Sequence, residues 1–140
     1  GGTITTIDPH LDQNHINNLK SAFPSFWFDY INFVPKASQE HLSTASEKYD
    51  FIYIDGDHRY EAVKRDWELC ENRYNKILLF DDYIPPKDDA PTDIQCSTLI
   101  DSIEDDSKEL IVMDRRIFLD DRGLHSDEIN YGQVLLTRGD

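Results

Sequence analysis

From Asp50 to Tyr83 the chain reads DFIYIDGDHRYEAVKRDWELCENRYNKILLFDDY, and this stretch constrains the fold more than any other. Two apolar runs, Phe51–Ile54 and Ile77–Phe80, each stop abruptly at carboxylates, and one helix-length segment separates them. A short apolar run bounded by polar residues suits a strand buried on both faces. Two such strands joined by a helix suit a right-handed crossover between parallel neighbours. Asp55, Asp57, Asp81 and Asp82 are then expected together at the carboxyl ends of adjacent strands, where open α/β sheets take their ligands.

The flanking sequence extends the same alternation. Thr3–Ile7 is β-branched throughout and stops at Asp8-Pro9, which predicts a strand with a carboxylate at its end. Ile16, Leu19 and Phe23 then recur at helical spacing between a capping Asp12 and a terminating Pro24. The aromatic-rich Phe26–Val34 predicts the next strand, and Ser38 is expected to cap a short helix reaching about Ala45. Val63, Trp67, Cys70 and Tyr74 form one apolar stripe and predict a helix over Tyr60–Tyr74. Ile84–Pro91, with three prolines, reads as a surface loop, and Cys96, Leu99, Ile100 and Ile103 predict a helix beginning near Thr92. Leu110–Met113 and Ile117–Leu119 flank Asp114-Arg115-Arg116, and Gln133–Thr137 is a final apolar run, so the chain is expected to finish in antiparallel strands. The order is β-α-β-α-β-α-β-α-β-β, an α/β sheet.

At 140 residues the chain has the size of one domain spanning 1–140. Its formal net charge of -14 argues against nucleic acid or an anionic membrane as the main partner, because both demand a basic face. Apolar runs are far too short for a membrane-spanning helix. Cys70 and Cys96 lack CxxC spacing and are expected as buried thiols of a cytoplasmic protein.

Three stretches, TIDPH at Thr6–His10, KASQEHL at Lys36–Leu42, and IDGDHRYEAV together with FDDY, resemble the class I S-adenosylmethionine-dependent methyltransferases. The likeness is to small-molecule O-methyltransferases that use a divalent metal, of the catechol and macrolide-sugar types. It implies a Rossmann-like, mostly parallel sheet with helices on both faces and an antiparallel final strand. The family's first strand and glycine-rich loop are expected before Gly1, so the chain reads as missing the first βα unit. The resemblance also implies cofactor contacts: Asp8 to the ribose hydroxyls, Ser38 and Gln39 near the adenine, and Asp57 on the cofactor side of the site. His58 falls close to where the catechol type carries a lysine base.

The residues themselves support a parallel reading. Asp55, Asp81 and Asp82 offer oxygen donors, which suit Mg²⁺ or another hard cation better than zinc. Unpaired acids converging without a nearby lysine repel one another unless a cation lies between them. His58 can accept a proton from a hydroxyl at neutral pH, with Asp55 as the other candidate. Asp57 is equally well placed to cap the helix beginning near Tyr60. His10, His15, His41 and His125 read as surface residues. The expectation is therefore an O-methyltransferase acting on a small-molecule hydroxyl with S-adenosylmethionine and a divalent metal. The alternatives are a binding or structural module whose partner is a second copy or a missing amino-terminal segment, and a different metal enzyme using the same acids.

Overall fold

The computed structural model describes residues 1–84, 95–116 and 129–139. The chain divides into two compact units, Gly1–Ser46 and Glu47–Asp140.

In the first unit, β1 (Ile4–Ile7) pairs in parallel with β2 (Ile31–Val34), with Ile4 opposite Ile31 and Ile7 opposite Val34. The crossover carries α1 (Gln13–Ala22), which starts and stops where the sequence predicts. Asp12 caps it through Oδ1, which accepts the His15 N–H at 2.8 Å, and Phe23-Pro24 ends it. The predicted strand over Phe26–Val34 is corrected: Ser25–Tyr30 forms a 3₁₀ helix and only Ile31–Val34 is strand. Pro24 sits at the cap with φ -55° and accepts the Trp27 N–H at 3.1 Å, starting a tight turn. Trp27 stacks on Phe23 with centroids 5.8 Å apart and meets Phe26 edge-on, so ring contacts along the turn override the strand preference of aromatic residues. α2 (Ser38–Leu42) follows β2, and Leu42 is buried. Ser38 is its first helical residue, with Ala37 at the cap position and no side-chain capping bond, so the expected serine cap is not formed.

The second unit contains β3 (Tyr49–Ile54), α3 (Tyr60–Cys70), β4 (Tyr74–Tyr83), α4 (Cys96–Ser102), β5 (Glu109–Arg116) and β6 (Ile129–Thr137). Its sheet has the order β3-β4-β6-β5, parallel between β3 and β4 and antiparallel in the other two pairs. The α/β class, the crossover between the acid-ended strands and the antiparallel finish are as the sequence predicts. The strands expected in one sheet are hydrogen-bonded as two sheets.

The core lies where apolar alternation on β4 meets that on β6. Leu78 faces Leu136 and Phe80 faces Val134 across the ladder, and all four are at most 3% exposed. Trp67 of α3 packs its ring 5.7 Å from that of Phe80, and Val63, Cys70, Leu99 and Ile100 bring the two helices into the same core. α3 ends at Cys70, not Tyr74, because Arg73 N–H turns back to Cys70 O at 2.8 Å and the buried Tyr74 opens β4. β4 is ten residues long, so Asp81 and Asp82 lie on the strand and not after it. Cys70 and Cys96 are buried free thiols, and burial pushes them up to about 12 and about 11. No helix among the described residues is long and apolar enough to cross a membrane. The proline loop after Ile84, Thr92, Ile117–Leu119 and His125 lie outside the described residues.

The end of β4 is fastened by one buried hydroxyl. Ser97 Oγ donates to Ile84 O at 2.5 Å and accepts the Ile84 N–H at 3.1 Å. Ser97→Ala leaves both backbone groups without that partner, and urea titration should show a loss of about 1–3 kcal/mol.

Candidate active site

The parallel register sets Ile54 opposite Phe80, so Asp55 leaves β3 beside the point where β4 carries Asp81 and Asp82. The two acidic strand ends therefore converge as the sequence predicts. β4 does not continue regularly there. Its pairing with β6 shifts between Phe80 and Tyr83, and Asp82 has φ 51°, a left-handed conformation uncommon outside glycine. Such a bulge re-aims side chains at the end of a strand.

At this bulge Asp82 meets the loop after β3. His58 Nε2 lies 2.8 Å from Asp82 Oδ2, and one donor atom each from Asp55, His58 and Asp82 lie within 4.8 Å of one another. Among the described residues this is a group able to hold a metal ion. Asp81 faces other partners. Tyr53 OH donates to its Oδ2, and Gln133 Nε2 donates to its Oδ1 at 3.2 Å, tying β3, β4 and β6 together. Partial burial, then the charges of Asp81 and Asp82, push the Asp55 carboxyl above the usual carboxylate range. Burial, then the hydrogen bond to Asp81, pushes the Tyr53 phenol up as well.

Asp57 makes a different set of contacts. Its Oδ1 accepts the Arg59 backbone N–H at 3.0 Å, and its carboxylate pairs with the Arg59 guanidinium, which holds it down at about 2. The expected Asp57 cap of α3 is corrected: Arg59 occupies the cap position without a side-chain bond, and Gln95 Oε1 accepts the Tyr60 N–H at 3.0 Å. Gly56 between these acids is closely packed, since a Cβ there would stand 3.1 Å from Asp66 Oδ2.

In the first unit, Asp8 follows β1 and its Oδ1 accepts the His10 N–H at 2.8 Å. Its own N–H donates to Val34 O at 3.1 Å, so Asp8 and the segment leading to Ser38 and Gln39 leave the β1–β2 sheet at one edge. Ser38 is half-buried and Gln39 exposed. The structure thus brings Asp55, His58 and Asp82 together and keeps Asp81 beside them in its own network, while in the other sheet Asp8 follows β1 and Ser38 and Gln39 open the helix after β2. Tyr53, Gln133 and Gln95 were missed from sequence. Tyr53 had a signal, because it lies two residues before Asp55 and strand alternation puts both on one face. Gln133 and Gln95 act through contacts 52 and 35 residues away, which no local pattern reveals.

This arrangement is that of an α/β fold shared with known methyltransferases. An O-methyltransferase from Bacillus cereus, solved in complex with SAH, matches with a TM-score of 0.58 at 12% identity, over 99% of this chain and 63% of that one. A Klebsiella pneumoniae protein assigned as an O-methyltransferase matches with a TM-score of 0.59 at 12% identity and the same coverages. The C-terminal domain of precorrin-6Y C5,15-methyltransferase from Rhodobacter capsulatus gives 0.55 at 14% identity, over 99% of this chain and 70% of that one. The chain thus spans 63% of the length of the first two. No curated protein sequence matches it. The family model for a methyltransferase domain matches residues 1–83, more than half of the chain, and the chain belongs to that family.

The raised Asp55 gives a signed pH effect. A carboxyl that holds its proton more tightly folded than unfolded favours the folded state at low pH, and this advantage is lost as pH rises through its folded pKa. Asp55→Asn should therefore raise the melting temperature at pH 7, and the gain over the unsubstituted protein should shrink as the pH is lowered toward 4, read by calorimetry.

Proposed function

We propose that this chain is the part of an S-adenosylmethionine-dependent O-methyltransferase that handles the methyl acceptor, a small molecule bearing a hydroxyl. The observation that carries the reading is the convergence of Asp55, His58 and Asp82 at the strand ends of a methyltransferase-family fold. The donor set fits a divalent cation: two carboxylates and an imidazole stand within reach of one another, and hard cations of the Mg²⁺ type favour carboxylate oxygen. Asp55 and Asp82 would hold it, and Asp81, engaged by Tyr53 and Gln133 beside them, is the further carboxylate we assign to it. When bound, the cation supplies charge that stabilises an ionising acceptor hydroxyl.

His58 handles the proton. With Nε2–H donated to Asp82, its Nδ1 is the acceptor for the proton of the substrate hydroxyl. S-adenosylmethionine, when bound, would supply the methyl group, with its sulfur keeping the electron pair of the carbon–sulfur bond as the hydroxyl oxygen is methylated. Orientation of the two reactants in line accounts for most of the help such a displacement needs. On the cofactor side, Asp8 retains Oδ2 beyond the turn that engages Oδ1, which suits a vicinal diol, and Ser38 and Gln39, which open the helix after the neighbouring strand, are the candidates for the adenine. Asp57, whose charge is shared with Arg59, is a further candidate cofactor contact.

Titration calorimetry on the full-length protein tests the reading. S-adenosylmethionine should bind, and Asp8→Ala should weaken that binding by about tenfold, the scale of a lost hydrogen bond to a charged group. Asp55→Ala and Asp82→Ala should abolish the heat of Mg²⁺ binding while cofactor binding persists. Absence of cofactor binding would overturn the methyltransferase assignment and favour a binding module. Mg²⁺ binding unaffected by either substitution would remove the metal from the proposal.

A further inference from the structure

His58 stands in a connection, four residues beyond the last residue of β3 and two before α3, so its imidazole is only as well aimed as its backbone is fixed. The helix that follows does not fix it. α3 has Arg59 at its cap position with no side-chain bond, and the Arg59 guanidinium is drawn to Asp57. The fastening comes from Gln95, the residue immediately before α4. Its backbone N–H donates to His58 O at 2.8 Å, and its side-chain Oε1 accepts the Tyr60 N–H at 3.0 Å. These two bonds grip the chain on both sides of Arg59. Cys96 Sγ adds a third contact, 3.8 Å from His58 O.

The anchor is itself well founded. Gln95 is continuous with α4, whose Cys96, Ser97, Leu99 and Ile100 are all buried, and Ser97 clasps Ile84 at the end of the strand that carries Asp82. One short helix therefore holds both the backbone of His58 and the strand end of Asp82, the two groups that meet at 2.8 Å.

We propose that Gln95 is a positioning residue for His58: its amide oxygen, by capping α3 from a distant point in the chain, sets the loop so that the imidazole meets Asp82. The proposal rests on the reading of His58 as proton acceptor for its catalytic meaning, but its structural content stands on the Gln95 contacts. Gln95→Leu removes the acceptor while keeping much of the side chain's bulk. Gln95→Glu keeps an acceptor, and a carboxylate at a helix amino terminus is favourable there.

The test reads the histidine directly. In ¹⁵N imidazole NMR of the full-length protein at neutral pH, His58 should show a single Nε2–H tautomer hydrogen-bonded to Asp82. In Gln95→Leu that signature should be lost or averaged while His10, His15 and His41 are unmoved, and Gln95→Glu should restore it. An unchanged His58 signature in Gln95→Leu overturns the proposal, as does failure of Gln95→Glu to restore it. Should the leucine variant not fold, amide exchange decides: a Tyr60 amide protected in both the unsubstituted protein and Gln95→Glu supports the cap, and rapid exchange in either overturns it. In methyl-transfer assays Gln95→Leu should lower kcat by about tenfold to a hundredfold, the penalty for slight misplacement of a reacting group, with the KM for S-adenosylmethionine unchanged. A protein that binds no S-adenosylmethionine would sink the methyltransferase reading, and the NMR result would still decide the role of Gln95.

Discussion

The parallel ladder between β3 and β4 is the constraint on which the site depends. Ile54 opposite Phe80 fixes where each strand runs out of apolar residues, and both run out at the same level. A slip of one residue would turn each side chain on β3 to the opposite face of the sheet, so the register is held as firmly as the core is packed. Leu78 and Phe80 supply that packing from β4, with Leu136 and Val134 opposite them on β6. The acids are thus brought together by burial that takes place one to three residues away from them.

That convergence works against stability. Three carboxylates near one strand boundary repel, and the charges of Asp81 and Asp82 add to the partial burial that pushes Asp55 up. The protein answers the repulsion locally and differently for each acid. Asp81 receives hydrogen bonds from Tyr53 and Gln133, Asp82 faces His58, and Asp57 is drawn off to Arg59. Cores accept such costs at sites where chemistry requires them, and the surrounding packing offsets them.

Much of this architecture is legible in the sequence because it depends on local signals. The acid-ended apolar runs, the α1 boundaries at Asp12 and Pro24, and the Val63–Trp67–Cys70 stripe all follow from periodicity or capping chemistry. Where the reading fails, a longer-range or subtler contact has won. Stacked rings turn Ser25–Tyr30 into a 3₁₀ helix despite its strand-like composition. At α3 a glutamine 35 residues away does what the neighbouring Asp57 was expected to do. At the site itself, residue types and approximate placement could be read directly, but the division of labour among the acids could not. That division depends on the Asp82 backbone and on Gln133 reaching across from β6, neither of which has a one-dimensional signature.

The clasp of Ser97 on Ile84, seconded by Tyr83 OH on Asp101 Oδ1 at 3.0 Å, has a consequence for how such a fold can diversify. It closes the chain into a loop whose two ends are held together by bonds outside the loop. Loop-closure entropy grows only logarithmically with length, so the number of residues between the clasped ends adds little to the thermodynamic expense of holding them together. The strand end that carries Asp82 is thereby held from α4 by bonds that do not depend on the length of that connection. Evolution or design can vary the length of the connection, provided that Gln95, Cys96 and Ser97 are kept, while the acids and the histidine keep their mutual geometry.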